Sequence, residues 1–403
     1  MEPKIRIKGF CGEWKHSTIG SVATVVGGGT PSTNNPLYWN GDIQWFTPTE
    51  VGHEKYVNSS ERTISKEGFE NSSAKMIPSN SILLSSRATI GEASINLTEC
   101  ATNQGFQSLI PIKADLEFLY SLITTKKGEL IRESNGSTFL EVSANKVRSL
   151  DITIPSIEEQ KAVGSFFQHL DFLIHSTTKK VDSLKQVKAA SLQSMFPQEG
   201  ETTPRVRFKG FEREWEKVTL GDCLTINNER NQNNVYGIND VLSVSDEVGV
   251  VNQIKLLGRS YAGKSVANYR VLKTNQIVYT KSPLKSKPYG IVKVNKGSVG
   301  IVSVLYAVYD AKDDVCPDYI HYYFDPTYRI NNYLLPLINK GAKNTMNISD
   351  EMALTGSIWI PSYKEQQKIS DYLHVLDSQI TLQTQRLEKL KQIKSACLDN
   401  MIV

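Results

Sequence analysis

Cysteine is scarce in this sequence, and no two cysteines are spaced as a metal-binding or redox motif. The 403-residue chain has five cysteines, with no Cys-x-x-Cys pair and no Cys/His cluster. An odd, scattered set argues against a disulfide framework and against a zinc site. The five are Cys11, Cys100, Cys223, Cys316 and Cys397. We therefore expect a reduced environment and no metal bound by this chain.

Long apolar runs are also missing. No stretch approaches the roughly 18 residues that a membrane-spanning helix requires, and the first residues lack the charged-then-apolar pattern of a signal peptide. Apolar residues still make up 39% of the chain, enough for a core in each of about two or three domains. We therefore predict a cytoplasmic protein. The net charge of +4 is small, so its distribution along the chain matters more than its size.

One stretch occurs twice, at residues 154–196 and 360–402, and the copies align without a gap. Each begins with a Ser-x-x-Glu capping box, as at Ser156 and Glu159, which marks a helix start. Apolar residues then recur in steps of four and three, the spacing of a coiled-coil seam. A single such helix would more simply pack on its own domain, but two copies half a chain apart favour packing on each other. The main seam positions are Leu170, Ile174, Val181 and Leu184 in the first copy, and Leu376, Ile380, Leu387 and Leu390 in the second.

The start of the chain is repeated as well. Residues 3–14 match residues 204–215, so the chain consists of two halves, each a globular block followed by a long helix. Pro197 cannot continue the first helix. Both blocks mix β-like runs, turn residues and helical stretches, which indicates a mixed α/β fold of the α+β class. The predicted segments are 1–153 for the first block, 154–196 for the first helix, 197–203 for the linker, 204–359 for the second block and 360–403 for the second helix.

Some elements inside the blocks can be placed from the sequence. In the first block, residues 116–133 are predicted to form a helix. In the second block, residues 299–309 are predicted to form a strand. Residues 318–335 are predicted to form a helix that Pro326 interrupts.

A further motif is the sequence GGTPSTNNPLYWNGDIQWFTPTEV at residues 28–51. This motif, the two-halves plan and the two helices that each begin with Ile-Pro-Ser-x-x-Glu-Gln together resemble the specificity subunit of type I restriction-modification systems. The resemblance covers essentially the whole chain. The second block departs from it, because Ile226-Asn-Asn-Glu-Arg-Asn stands where a second Gly-Gly-Thr-Pro-Ser motif would be expected.

The resemblance implies a function as well as a fold. Each block would be a target-recognition domain that reads one half of a split DNA sequence. The two helices would form an antiparallel coiled coil with a pseudo-two-fold repeat, set the gap between half-sites and dock two methyltransferase subunits. Motor-nuclease (restriction) subunits would join that complex. The chain itself would be non-catalytic, and S-adenosylmethionine, ATP and Mg²⁺ would be bound by the partner subunits.

Two polar segments of the first block carry side chains that can read bases. Arg87 and Thr89 lie in one segment, and Asn103 and Gln104 lie in the other. Arginine suits guanine, and asparagine or glutamine suits adenine. For any single one of these residues, an ordinary surface loop is an equally good interpretation.

The second block contains a basic tract at residues 255–296. It has ten lysines and arginines, no acidic residue, and tyrosines between the cations. Such a tract suits a surface that follows a phosphate backbone, and the alternative is a solvated basic face. The residues predicted to contact DNA are Lys264, Tyr279, Lys281, Lys285, Lys287 and Tyr289.

Two other functions compete with DNA recognition. Residues 258–265 match the P-loop pattern GxxxxGKS, so a nucleotide-binding enzyme is one alternative. The residues that follow are β-prone and begin no clear helix, which counts against it. A coiled-coil adaptor without DNA binding is the other alternative. Asp325-Pro-Thr-Tyr328 resembles the Asp-Pro-Pro-Tyr motif of DNA amino-methyltransferases, but it lacks the second proline and is interpreted as a structural turn.

Overall fold

The computed structural model describes residues 2–134, 140–263, 265–282, 284, 287–340 and 346–403. The chain divides into two compact units. Unit 1 consists of Met1–Lys179 and Thr384–Val403, and unit 2 consists of Lys180–Gln383. Each unit therefore contains one globular block and parts of both long helices. The segment boundaries given above from the sequence stay predictions.

Unit 1 has a block of short strands and helices that precedes the first long helix. Its strands are β1 (Lys15–Thr18), β2 (Ala23–Gly27), β3 (Trp39–Phe46), β4 (Tyr56–Val57), β5 (Arg62–Ile64), β6 (Ser81–Leu84), β7 (Ala93–Asn96), β8 (Cys100–Thr102), β9 (Gln107–Pro111) and β10 (Asp151–Ile154). The helices are α1 (Ile19–Val22), α2 (Lys66–Glu70), α3 (Leu116–Thr125), α4 (Lys127–Arg132), α5 (Ala144–Arg148) and α6 (Ile157–Ser194), which continues into unit 2.

Two sheets form the body of unit 1. One has the strand order β2-β9-β6-β7-β4, and the other has the order β5-β3-β8. Every residue of the central strand β6 is buried. Ile82 and Leu84 belong to one apolar core, and Leu83 belongs to another. Because successive side chains of a strand point to opposite faces, both faces of the larger sheet are covered.

Unit 2 repeats this plan with shorter strands. They are β11 (Glu216–Thr219), β12 (Leu224–Ile226), β13 (Leu242–Ser245), β14 (Gly249–Asn252), β15 (Arg270–Leu272), β16 (Ile277–Tyr279), β17 (Val292–Val294), β18 (Gly300–Val302), β19 (Ala307–Ala311), β20 (Asn339–Lys340), β21 (Met346–Asn347) and β22 (Ser357–Ile360). The helices are α7 (Leu220–Cys223), α8 (Gln253–Leu257), α9 (Pro317–Phe324), α10 (Thr327–Leu334) and α11 (Tyr363–Met401), which continues into unit 1.

The central sheet of unit 2 has the strand order β12-β19-β16-β17. The strand predicted at 299–309 is wrong in extent, because it forms β18 and β19 with a turn between them, in which the Tyr306 N–H donates to the Ser303 carbonyl at 3.0 Å. The helix predicted at 318–335 is interrupted at Pro326, as expected, and forms α9 and α10. Asp325-Pro-Thr-Tyr328 is the junction between them.

In each unit, the first strand of the block pairs with its last strand, just before the long helix begins. The strand near the start of the repeat pairs antiparallel with the strand just before the helix: β1 pairs with β10, and β11 pairs with β22. The entrance to each long helix is thus held in a two-stranded ribbon.

The repeated start of the chain also binds the start of the repeated helix. In unit 1, Arg6 donates from Nε and Nη2 to the two carboxylate oxygens of Glu159, both at 2.8 Å. In unit 2, Arg207 binds Glu365 in the same two-pronged way, at 2.6 and 2.8 Å. Both glutamates are buried. Each capping-box glutamate therefore binds an arginine from the start of its own repeat, which sequence spacing alone does not indicate.

The glutamine beside each of these glutamates holds a neighbouring loop. Gln160 donates from Nε2 to the Pro155 carbonyl and accepts from the Asp115 N–H, both at 3.0 Å. Gln366 makes equivalent bonds in unit 2, and its Oε1 accepts from the Cys316 N–H at 2.9 Å. The repeated Glu-Gln pair thus fastens each block to its own helix.

The long helices pack on each other, which confirms the predicted coiled coil. In unit 2, Lys188 of α6 lies 2.7 Å from Asp377 of α11, and Ser191 lies 3.2 Å from Tyr372. Residue numbers rise on one helix as they fall on the other, so the pairing is antiparallel. Of the predicted seam residues, Leu170, Val181, Leu184, Leu376 and Leu387 are buried, and Ile174, Ile380 and Leu390 are half-buried.

Candidate nucleic-acid interface

The glycine-rich motif of unit 1 forms a loop pressed against the end of β8. The Gly29 N–H donates to the Thr102 carbonyl at 2.8 Å. A Cβ atom on Gly28 would overlap the carbonyl oxygen of Asn103, and one on Gly29 would overlap the backbone of Ser73. Only glycine therefore permits this approach, which brings the loop beside the turn that carries Asn103.

Two tryptophans of the motif form hydrogen bonds to the backbone of this loop. Trp45 donates from its indole N–H to the Gly29 carbonyl at 2.9 Å, and Trp39 donates to the Ser32 carbonyl at 3.2 Å. The two rings meet edge to face, with centroids 5.1 Å apart, and the Arg62 guanidinium lies 3.7 Å from the centre of the Trp39 ring. These buried tryptophans are structural supports for the loop.

Folding brings the two polar segments of the first block together around Gly105. The Ser86 N–H donates to the Gly105 carbonyl at 2.7 Å. A Cβ atom on Gly105 would lie 3.0 Å from Asn103 Oδ1 and 3.6 Å from Arg87 Cβ. Thr89 is tied to a neighbouring loop through its hydroxyl, which donates to the Pro48 carbonyl at 2.9 Å. The segments are separate in sequence and adjacent in space.

We call Arg87, Thr89, Asn103 and Gln104 the unit 1 patch. Arg87 forms an ion pair with Glu141 at 2.7 Å, while about 41% of its side chain stays exposed. Asn103 Oδ1 accepts the Gly105 N–H at 2.8 Å, and Gln104 Oε1 accepts from the Thr30 hydroxyl. Asn103 is half-buried and Gln104 is exposed, so both amides remain accessible at the surface. A cation and two amides on one surface are the groups that read base edges.

In unit 2, six cations of the basic tract bind acidic residues from outside the tract. These acids come from four separate regions of the chain, so the sequence of the tract does not show that its cations are paired. The pairs are Arg270–Asp350 at 2.5 Å, Lys273–Glu229 at 2.5 Å, Lys281–Asp350 at 2.5 Å, Lys287–Asp246 at 2.9 Å, Lys293–Asp246 at 3.3 Å and Lys296–Asp318 at 2.6 Å. Much of the tract is therefore neutralised inside the unit.

Lys281 and Lys287, predicted to contact DNA, are engaged in this way. Lys287 also donates to the Asp325 carbonyl at 2.7 Å, and only 8% of its side chain is exposed. Lys281 binds Asp350, and 18% of the Lys281 side chain is exposed. Both ammonium groups are thus bound to acids inside the unit, and the proposed DNA contact of these lysines stays a prediction. Lys264 and Lys285 lie outside the described residues.

Both tyrosines predicted to contact DNA pack in or against the core of unit 2. Tyr279 is 2% exposed and donates from its hydroxyl to the Tyr289 carbonyl at 2.8 Å. Burial raises the pKa of the Tyr279 phenol. Tyr289 is half-buried and packs against the core of unit 2. Tyr279 and Tyr289 thus take part in the packing of the sheet and its core.

A different part of the tract is accessible. Within the described residues, Lys255 and Arg259 have no acidic group within ion-pair distance, and Arg259 lies 4.7 Å from the centre of the exposed Tyr261 ring. Gln253 of α8 accepts the Tyr261 N–H at 2.7 Å, which fixes this segment on the helix. The local sequence gives these residues the same charge as the paired cations, and only the structure separates the two groups.

Residues 258–265 lack the surroundings of a P-loop. The element before them is the short helix α8, which Gly258 ends in the left-handed conformation at φ 76°. The residues after them, 266–269, form no helix, and the next element is β15. A P-loop needs a strand before it and a helix after it. The described residues therefore do not support the nucleotide-binding alternative.

The described part of the chain also bears on metal binding and on membrane insertion. Its histidines, cysteines and acidic residues form no group of three or more that could hold a metal ion. Within the same residues, no helix combines the length and the hydrophobicity that a membrane span needs.

Comparison with known sequences gives a family match in each half of the chain. Residues 12–186 and 212–392 match the family described as type I restriction modification DNA specificity domain. The chain is 28% identical, over 421 residues, to the type I restriction enzyme MjaIX specificity subunit of Methanocaldococcus jannaschii, covering 97% of this chain and 93% of that protein. It is 31% identical, over 175 residues, to the EcoR124I/EcoR124II specificity subunit of Escherichia coli, covering 41% of this chain and 43% of that protein.

A solved structure shares the fold. The crystal structure of a type I restriction-modification system S subunit from M. genitalium matches with a TM-score of 0.60, covering 100% of this chain and 99% of that one, at 12% identity. At that identity the likeness concerns the fold alone. The family matches span most of the chain in two copies, in agreement with the repeated blocks and helices, and the chain belongs to the type I restriction-modification DNA specificity family.

Proposed function

We propose that this chain recognises a bipartite DNA sequence, with one half-site read by the block of unit 1 and the other by the block of unit 2. Specificity subunits of this family are not themselves catalytic. The chain would therefore direct chemistry that other subunits perform.

The observation that carries this proposal is the unit 1 patch. Arg87 and Thr89 come from one loop and Asn103 and Gln104 from another, and both loops converge on Gly105. The motif at residues 28–51 builds this arrangement by pressing its glycines against the same turn. Hydrogen-bonding groups held rigidly on one surface can discriminate bases by their edges.

Unit 2 would contact DNA through a different surface. Lys255 and Arg259 are accessible and have no ion-pair partner among the described residues, and Tyr261 beside them is 61% exposed. Cations supply phosphate contacts, and an exposed ring supplies a stacking or sugar contact. Because the two blocks carry different groups, we expect the half-sites to differ in sequence.

The partners follow from the same proposal. The paired helices α6 and α11 would dock two methyltransferase subunits, and restriction subunits would join them in the cytoplasm. S-adenosylmethionine, ATP and Mg²⁺ would be bound by those subunits. A coiled-coil adaptor without DNA binding remains the second candidate, and it predicts no salt-sensitive DNA binding even with the methyltransferase present.

Exchange of one block tests the bipartite reading. Residues 1–153 are replaced by the corresponding block of another family member, and the complex with its methyltransferase is analysed by methylation sequencing. One half-site is expected to change while the other half-site and the gap are retained, because each block would read DNA independently.

The reciprocal exchange of residues 204–359 is the matched control, and it should change only the other half-site. An exchange that rewrites both half-sites would contradict separate reading. A continuous recognition sequence in the parent protein would contradict the bipartite target itself.

A second prediction separates accessible cations from paired ones. The double variant Lys255→Ala/Arg259→Ala is expected to lower the slope of log affinity against log salt concentration by about two, one for each phosphate that is no longer bound. Affinity should fall for all DNA sequences alike. The measurement is DNA binding by the assembled complex over a series of salt concentrations.

The matched control for this prediction is Lys281→Ala/Lys287→Ala. This variant should leave the salt slope unchanged and lower the stability of unit 2, because it removes ion pairs to Asp350 and Asp246. A lower slope in the control with no change in the Lys255/Arg259 variant would reverse the assignment of the two groups.

A further inference from the structure

A chain of ion pairs in unit 2 connects the paired helices to the β13–β14 hairpin. Lys188 of α6 lies 2.7 Å from Asp377 of α11 and 3.2 Å from Asp325, at the junction of α9 and α10. Asp325 lies 3.4 Å from Lys293 of β17, and Lys293 lies 3.3 Å from Asp246. Asp246 is in the turn of the hairpin. Five side chains thus alternate in charge from one end to the other.

Further bonds reinforce this chain. Lys287 binds Asp246 at 2.9 Å and donates to the Asp325 carbonyl at 2.7 Å. The Tyr322 hydroxyl donates to Asp377 at 2.9 Å. Burial lowers the pKa of His321, which packs beside Tyr322, to about 4, so this imidazole is neutral near pH 7 and adds no charge.

The carboxyl group of Asp325, at the centre of this chain of ion pairs, is held ionised. Burial alone would raise the pKa of Asp325, but the imidazole of His321, which is protonated only at low pH, and the ammonium groups of Lys293 and Lys188 lower that pKa below its usual range. Asp325 is thus an anion between two ammonium groups at neutral pH. Its charge makes the position of Lys188 on the helix pair and the position of Lys293 in the sheet depend on each other.

Buried ion pairs contribute little net stability, because desolvation offsets the attraction, but an unpaired buried charge is costly. A displaced block would leave Asp325 or Lys188 without its partner. The ion-pair chain therefore favours a single placement of the block on the helices more than it adds to the stability of the fold.

The hairpin at the far end leads directly to the accessible cations. Strand β14 ends at Asn252, whose side chain caps α8 by accepting two backbone N–H groups, and α8 carries Lys255 and leads to Arg259. The position of the hairpin consequently sets the position of the surface proposed to meet DNA.

Unit 1 contains a related arrangement at the matching position of the repeat. Asp171 of α6 lies 2.6 Å from Lys394 of α11, and these residues align with Asp377 and Lys188 in the two copies. Lys55 from the block binds the same Asp171 at 2.7 Å. In each unit, a Lys–Asp pair between the helices receives a charged side chain from the block.

We propose that Lys188, Asp325 and Lys293 are positioning residues that set the recognition of the second half-site without contacting DNA. This inference rests on the proposed function. It assigns a role in specificity to Lys188 of the coiled coil, to Asp325 at the junction of α9 and α10, and to Lys293 of β17.

The test uses the full chain assembled with its methyltransferase subunits. Methylation rates are compared on the parent target and on duplexes with single-base changes in either half-site. For Lys188→Met, discrimination at the second half-site is expected to fall roughly 2- to 30-fold, the range typical of couplings that act at a distance. Discrimination at the first half-site and the salt slope should stay at the parent values, because the variant binds the same phosphates.

Matched variants distinguish positioning from general damage. Lys185→Met, on an exposed position of the same helix, should behave as the parent, and Lys188→Arg should retain second-site discrimination. Lys293→Met provides a second break in the chain and should reproduce the effect of Lys188→Met. Lys394→Met should affect the first half-site only.

Three outcomes would overturn the inference. One is equal loss at both half-sites in Lys188→Met, and another is unchanged discrimination in folded Lys188→Met and Lys293→Met. Failure of both variants to fold would assign the chain of ion pairs to stability. A parent complex with no two-part target would instead overturn the proposed function, which methylation sequencing of the parent decides first.

Discussion

Glu365→Ala is expected to lower the free energy of unfolding of unit 2 by about 3 kcal/mol. The Glu365 side chain is 1% exposed, and its two oxygens bind Nε and Nη2 of Arg207. Without it, the guanidinium keeps its charge and loses both bonds. The loss lies at the low end for a broken buried ion pair, because Arg207 is 18% exposed and can turn toward water. Urea unfolding measures the change.

Glu388→Ala is the matched control on the same helix. Glu388 pairs with Lys391 at 3.0 Å, but its side chain is 58% exposed. Exposed ion pairs contribute little, so no measurable change in stability is expected. Equal unfolding midpoints for the Glu365 and Glu388 variants would mean that the Arg207 contact contributes nothing in solution.

Leu184→Asp and Leu387→Asp are each expected to destabilise the chain by at least about 3 kcal/mol. Leu184 is 9% exposed within the core of unit 2, and Leu387 is 8% exposed on α11. Either change places a carboxylate in an apolar helix contact and removes a buried leucine. Both variants should also bind the methyltransferase more weakly, because docking is proposed to require the paired helices.

Val187→Asp and Leu382→Asp serve as controls on the same two helices. Their side chains are 42% and 62% exposed, so neither change should alter stability appreciably. Unfolding by urea reports stability, and size-exclusion chromatography with the methyltransferase reports assembly. Full stability and normal assembly of Leu184→Asp and Leu387→Asp would contradict the helix pairing described above.

The long helices and the two-halves plan could be predicted from the sequence because their signals are local or repeated. A capping serine, a four-three apolar spacing and a proline after the helix each act within a few residues. Repetition of residues 154–196 at 360–402 then indicated that two equivalent elements exist. The break at Pro326 was predictable for the same reason, since proline acts on its own turn of helix.

Other features depended on contacts between residues distant in sequence. Residues 299–309 form two strands because the turn at Ser303 separates segments that belong to different sheets. The glutamate of each capping box binds an arginine from the start of its repeat, as Glu159 binds Arg6. Neither of these contacts can be predicted from a short stretch of sequence, because the residues involved are far apart along the chain.

The candidate site most clearly separates what the local sequence predicts from what contacts between distant residues decide. The sequence by itself determined which side chains could read DNA in the first block, because Arg87 and Asn103 have the necessary chemistry wherever they lie. Only the tertiary structure decided that they share a surface, through Gly105. The sequence also determined that residues 255–296 contain no acid, but folding brought Asp246 and Asp350 against their lysines. Charge is a property of the local sequence, whereas its neutralisation depends on which distant residues the sheets place within ion-pair distance.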